Sequence, residues 1–306
     1  MTKRRVFGWA AVSFAVVLSV LLAAPLWAPV LGLGPPAPPA RGREVALPGG
    51  ARVNVIDEGA GPAVVLIHGL PGTAYDWQPL PERLVAAGHR VIRYDRIGYG
   101  YSDRRTRDED HSLDAKADEL LELLAELRVE SPVWLGWSYG GGVVLRAAEK
   151  SAGRPRAVML VGSIGPVSRA EEADRVLVAT ESLQRWGLRS GFLARPGMGQ
   201  MGRLAFSGSP PDWWASHMIA TLALPGAVHS WAMETKYLDA SALHPEAVTV
   251  PAVVVHGTAD NLVPLAVGED LAARIPKADL VEVADGSHML PITHAELLVE
   301  RLERRR

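Results

Sequence analysis

The stretch Leu135 to Gly142 reads LGWSYGGG and sets Ser138 between Gly136 and Gly140, directly after an apolar run. This G-x-S-x-G spacing is the pattern of a sharp turn from strand into helix, which lifts one hydroxyl out into the open. A serine hydroxyl becomes a useful nucleophile only when a base takes its proton and a third group holds that base in the right tautomer. Two partners are therefore needed, and with a strand-to-helix nucleophile turn they are expected later in the chain. Asp260 lies in HGTADNLVP, just past the run PAVVVHG, and His288 lies in DGSHML, just past DLVEVAD. Acid then histidine, each on a loop after a strand-like run, is the order that this nucleophile turn requires.

The elements that must position these groups are legible as alternating patterns. AVVLIHG (63–69), HRVIRYD (89–95), PVWLGW (132–137), RAVMLVG (156–162), PAVVVHG (251–257) and DLVEVAD (279–285) are short, β-branched-rich runs of the kind buried in a parallel sheet. Helical patterns lie between them: LPERLVAAG, LDAKADELLELLAELRV, GVVLRAAEKSAG, AVGEDLAARIP and HAELLVERLERR. The alternation predicts an α/β fold, a mostly parallel sheet with helices on both faces and right-handed crossovers. Before it, EVALPGGARVNVIDEG reads as a β-hairpin about Pro-Gly-Gly. Residues 166–247 break the rhythm. They hold helical patterns without a buried strand, together with Trp186, Trp213, Trp214 and Trp231, and read as an inserted helical cap. An insertion leaving the carboxyl end of a strand is placed to cover a ligand site there. Trp137, Trp186, Trp213, Trp214 and Met289 are the candidate substrate-binding side chains, because wide, polarizable groups make an adaptable apolar wall. The core is then 44–165 plus 248–306.

With those motifs in order, residues 44–306 resemble the α/β-hydrolase fold superfamily of serine hydrolases. LIHGLPGT (66–73) is similar to its oxyanion loop, RYDRIGYGYSD (93–103) to its D-x-x-G-x-G-x-S turn, GWSYGG to its nucleophile elbow, and HGTADNLVP and GSHML to its acid and histidine loops. The resemblance implies that Ser138 is the nucleophile, His288 the general base and then acid, and Asp260 the group that orients His288. It also implies an oxyanion hole made of the backbone amides of Leu70 and Tyr139. Asp95 is expected to brace its turn through hydrogen bonds to backbone. His68 and His256, each before a glycine at a strand end, are expected to shape loops. No metal-ligand spacing occurs, and no cofactor is implied.

HGLPG and RYDRIGYGYSD look most like the epoxide hydrolase and haloalkane dehalogenase branch, yet that branch carries an aspartate where this chain has Ser138. A carboxylate nucleophile suits an sp³ carbon, whereas a serine alkoxide suits a carbonyl carbon that becomes tetrahedral. The expectation is a carboxylic ester hydrolase with an acyl-enzyme intermediate and a small, hydrophobic ester as substrate. A carbon–carbon bond hydrolase, a cofactor-free haloperoxidase or perhydrolase, an acyltransferase, and a non-catalytic ligand-binding protein are the alternatives.

The chain has 306 residues, 48% apolar and 22% charged, enough for one large α/β domain with a packed core. A net charge of −2 and the lack of a basic-aromatic stripe argue against nucleic acid as a partner. With no cysteine, thiol chemistry and disulfides are excluded. At the start, Lys3, Arg4 and Arg5 precede an apolar run from Val6 to Ala24, close to the roughly 20 residues that span a bilayer. Residues 1–28 are expected to be a membrane anchor that places the enzyme outside the cytoplasm. A cleaved signal, giving a secreted or periplasmic protein, and a buried or surface-lying helix are the alternatives; the signal's cleavage points after Ala24 or Ala28 are each followed by proline. Residues 29–43, PVLGLGPPAPPARGR, read as a linker. Nothing in the sequence fixes an oligomeric state.

Overall fold

Runs such as AVVLI and VWLGW have no polar face and are stable as strands only when both sides are covered. In the computed structural model, which describes residues 17–104, 108–151, 154–168 and 173–304, they are. The strands are β1 (Arg43–Ala46), β2 (Arg52–Gly59), β3 (Ala63–Ile67), β4 (Arg90–Tyr94), β5 (Val133–Trp137), β6 (Ala157–Val161), β7 (Ala252–Gly257) and β8 (Ala278–Val283). They form one sheet in the order β1-β2-β4-β3-β5-β6-β7-β8. β1 and β2 form the expected antiparallel hairpin, β2 runs antiparallel to β4, and all other pairs are parallel.

The helices are α1 (Ala24–Trp27), α2 (Leu80–Ala86), α3 (Leu113–Glu126), α4 (Tyr139–Lys150), α5 (Ala173–Arg189), α6 (Arg195–Ala205), α7 (Asp212–Leu222), α8 (Ala227–Lys236), α9 (Leu265–Arg274), α10 (Leu290–Thr293) and α11 (Ala295–Glu303). Strand alternation splits the core into two layers. Val65, Ile67 and Trp134 pack with Leu120, Val143 and Leu271 of α3, α4 and α9. Val64, Leu66 and Leu135 pack with Leu84 and Leu298 of α2 and α11 on the other face. α3 starts where Ser112 accepts a hydrogen bond from the amide of Ala115, a side-chain N-cap. Between β6 and β7 the described residues hold α5 to α8 and short 3₁₀ turns without a strand.

Register fixes what emerges together. Ile67 pairs with Gly136 across β3 and β5, so His68-Gly69 and Trp137-Ser138 leave the sheet side by side. Gly257 pairs with Val283 across β7 and β8, which sets the two following loops next to each other. Of the expected anchor at 1–28, residues 1–16 lie outside the described residues. Residues 17–22 are helical, and no helix among the described residues is long and apolar enough to cross a membrane. The linker at 29–43 has no regular structure until β1 begins.

Candidate active site

β5 passes into α4 at Ser138, whose φ of 56° and ψ of −122° lie where side-chain-bearing residues are rarely found. Such a conformation costs about 1–3 kcal/mol and persists only where its surroundings hold it. Here the Ser138 amide donates to the Val161 carbonyl at 3.0 Å, and the Ser138 carbonyl accepts from Gly141 at 2.9 Å and Ile164 at 3.2 Å. α4 starts so close to β3 that a Cβ on Gly140 would collide with the carbonyl of Ile67. Glycine at 140 therefore fits a steric need at the turn.

The loops after β7 and β8 bring Asp260 and His288 together, with Asp260 Oδ2 2.7 Å from His288 Nδ1. The other carboxylate oxygen accepts from the amides of Leu262 at 2.9 Å and Val263 at 2.8 Å. Burial works against ionising Asp260, but the hydrogen bond and charge of His288, aided by those amides, outweigh it and hold its pKa below the ordinary value. A carboxylate only accepts, so Nδ1 carries the proton and Nε2 is left to accept one. Ser138 and His288 line the same cavity of about 70 Å³.

Leu70 also lines this cavity, and Gly69 passes so close that a Cβ added there would lie 3.1 Å from Ser138 Cβ and 3.6 Å from Ser138 Oγ. Among the described residues, the amides of Leu70 and Tyr139 have no protein acceptor. Tyr139 is the first residue of α4, where unsatisfied N–H groups and the positive end of the helix dipole favour negative charge. The arrangement sets a serine hydroxyl, an imidazole with a fixed tautomer and two backbone N–H donors beside one small, mostly apolar space.

The candidate wall residues divide. Trp137, Trp214 and Met289 line the cavity. Trp137 also donates from Nε1 to the His288 carbonyl at 2.9 Å, so it braces the histidine loop. Trp186 and Trp213 do not line it. Trp186 borders a second cavity, of about 250 Å³, among the helices of the insertion, and its Nε1 donates to the Leu22 carbonyl. Trp213 precedes Trp214 on α7, and one residue turns the side chain by about 100°, which carries it to the surface at 42% exposure.

Sequence reasoning missed Pro71, Asp76, Met201, Ala205, Met218 and Leu262, which also line the cavity. The signal that could have found part of the roof is spacing: Met201 and Ala205 on α6, and Trp214 and Met218 on α7, are each four apart and share a face. Asp76 accepts from His217 Nε2 of α7 at 2.5 Å and from the Thr73 amide at 2.7 Å. Burial opposes the charged form of His217, but its hydrogen bond to Asp76 wins and raises its pKa. Asp95 braces its turn, accepting from the amides of Ala74 and Tyr101. His68 and His256 are buried against loop backbone, with His256 Nε2 2.8 Å from the Val263 carbonyl.

A model of the alpha/beta hydrolase fold family matches residues 62–295. The 2-hydroxymuconate semialdehyde hydrolase of Pseudomonas sp. (strain CF600) is 31% identical over 284 residues, covering 84% of this chain and 90% of that protein. The non-heme haloperoxidase of Rhodococcus erythropolis is 28% identical over 262 residues, covering 81% and 93%. An esterase from Exiguobacterium antarcticum superposes with a TM-score of 0.73 at 21% identity, covering 86% of this chain and 98% of that one, a likeness of fold. The sheet order, the turn at Ser138 and the match over residues 62–295 together establish that this chain is a hydrolase of the α/β-hydrolase fold family.

Proposed function

We propose that the protein hydrolyses carboxylic esters with a short, apolar acyl group through an acyl-enzyme on Ser138. The observation that carries this reading is the 2.7 Å Asp260–His288 pair lining one cavity with Ser138 and two unpaired amides. Ser138 Oγ attacks the ester carbonyl carbon while its proton passes to His288 Nε2. The amides of Leu70 and Tyr139 take the charge that develops on the carbonyl oxygen, each such donor being worth about 2.7–4 kcal/mol in the transition state. The alcohol leaves with the proton from Nε2. Water, deprotonated by Nε2, then attacks the acyl-enzyme and releases the acid and Ser138. Asp260 stays ionised throughout and steadies the imidazolium.

Cavity size and charge narrow the substrate. The cavity is small and its walls are largely apolar, which favours acetyl to butyryl groups over long chains. The relative acting on a semialdehyde favours a second reading, a carbon–carbon bond hydrolase for dienone acids. Against it, the lining among the described residues holds no lysine or arginine to meet a substrate carboxylate, and it holds Asp76. The test is a p-nitrophenyl ester series from acetate to octanoate run beside a dienone acid, and peracid formation from acetate and peroxide. The ester reading requires a nitrophenol burst that is largest for short chains and absent in Ser138→Ala. Turnover of the dienone acid without an ester burst replaces it with the second reading.

The same proposal places the enzyme at a membrane through residues 1–28, with the hydrolase outside the cytoplasm. Leu22, Leu26, Val30 and Leu31 are more than half exposed, an apolar surface in keeping with a lipid neighbour. Fractionation of cells tests it: recovery of the full-length chain in the soluble fraction removes this part of the proposal.

A further inference from the structure

Four charged side chains are buried together behind the active-site loop. Arg96, just past β4, and Glu234 of α8 are both fully buried, with Nη1 2.7 Å from Oε1 and 2.8 Å from Oε2. Lys116 of α3 lies 3.1 Å from Glu234 and 3.6 Å from Glu119, so two cations face two carboxylates. Tyr99 donates to Glu234 Oε2 at 3.1 Å. Burying such a group costs desolvation that its attraction barely repays, so stability alone is a poor reason for it.

The rest of the Arg96 fork gives a better one. Nε donates to the His68 carbonyl at 3.3 Å and Nη2 to the Gly69 carbonyl at 2.9 Å. The Gly69 carbonyl belongs to the same peptide unit as the Leu70 N–H. A trans peptide is planar, and its C=O and N–H point in opposite directions. Holding the oxygen from behind therefore aims the N–H forward, and Leu70 lines the cavity with Ser138. His68 adds a second clamp. Its Nε2 accepts from the Arg96 amide at 3.0 Å, which puts the proton on Nδ1, 2.9 Å from the same Gly69 oxygen. Arg96 also lies over the ring of Tyr139, 4.6 Å from its centroid, beside the residue that carries the other donor.

We propose that Arg96, held by Glu234 of the inserted helix α8, is a positioning residue that aims and polarises the Leu70 amide, so that the seating of the insertion sets the oxyanion donor. A positive charge on the carbonyl side strengthens the N–H dipole and keeps it fixed as charge develops. This rests on the serine-esterase reading above.

The test compares wild type, Arg96→Lys, Glu234→Gln and the paired change Arg96→Met with Glu234→Leu. Active sites are counted by fluorophosphonate labelling, so loss of folded protein does not register as loss of rate. With a short p-nitrophenyl ester, kcat per labelled site falls about 10–100-fold in the paired variant, less in Glu234→Gln, and KM moves little, as expected for a displaced oxyanion donor. Binding of a trifluoromethyl ketone, which forms the charged tetrahedral adduct, weakens by the same factor. Arg96→Lys keeps a cation opposite Glu234 but cannot fork to both carbonyls, so it folds and falls between wild type and the paired variant. Variants that match wild type in kcat per site and ketone affinity, within about twofold, overturn the inference. Failure of wild-type Ser138 to label overturns the esterase reading instead.

Discussion

Two histidine–carboxylate pairs flank the cavity and are wired in opposite senses. His288 gives Nδ1 to Asp260, which leaves Nε2 on the side away from the carboxylate, and both partners sit on loops of the central sheet. His217 gives Nε2 to Asp76, so its outer nitrogen is used in joining α7 to the loop after β3. The first pair fixes one tautomer, and in the proposed mechanism it is the base. The second is a clasp between the insertion and the body, and it must break when those two separate. The same two residue types thus serve chemistry or closure according to which ring nitrogen is free and whether the partners belong to one rigid unit.

Variants can break or sharpen this contrast. The largest effect is expected from Ser138→Ala: kcat for a short ester falls by about 10⁶, leaving what binding and the oxyanion donors supply, with no fluorophosphonate label. Next, Asp260→Asn should lower kcat by about 10⁴ through the wrong tautomer of His288, with KM little changed in steady-state assays. Gly162→Ala sharpens the point, because its Cβ would lie 3.2 Å from Asp260 Oδ2 and 3.3 Å from His288 Nδ1 at a φ of +47°. It should cost about tenfold in kcat by tilting the pair.

The smallest catalytic effect belongs to the clasp. His217→Gln should leave kcat within about threefold while removing about 1–2 kcal/mol of stability, read from urea unfolding. The raised pKa of His217 fixes the sign. Its contribution is complete below the ordinary histidine value and is lost as pH rises through the raised one. The gap in unfolding free energy between wild type and His217→Gln should therefore narrow as pH rises above the ordinary histidine value and through the raised one. A gap that widens instead would show that the pair is not charged in the folded state.

The body of the fold was legible because its signals are local. Each parallel strand is a β-branched run with a turn at its end, and Ser138, Asp260 and His288 follow such ends. The clasp and the Arg96–Glu234 cluster were not, since Asp76 and His217 are 141 residues apart and Arg96 and Glu234 are 138 apart. No spacing rule links residues whose meeting depends on how the insertion is laid over the sheet. Trp213 and Trp214 make the same point at short range: adjacent in sequence and about 100° apart around α7, one is left at the surface and the other is buried at the cavity once packing selects a face.

The N-terminal stretch is threaded into the insertion: the Leu22 and Leu33 carbonyls accept from Trp186 and from the Phe192 amide, and Trp27 packs on Phe192 at 5.7 Å. Ala24 and Ala28 are fully buried there. A leader peptidase reaching for either alanine would find it sealed in the finished enzyme, so any trimming at these positions belongs to the moments before the chain has closed on itself. An assay that adds peptidase to nascent and to mature protein would see the scissile bonds disappear with maturation.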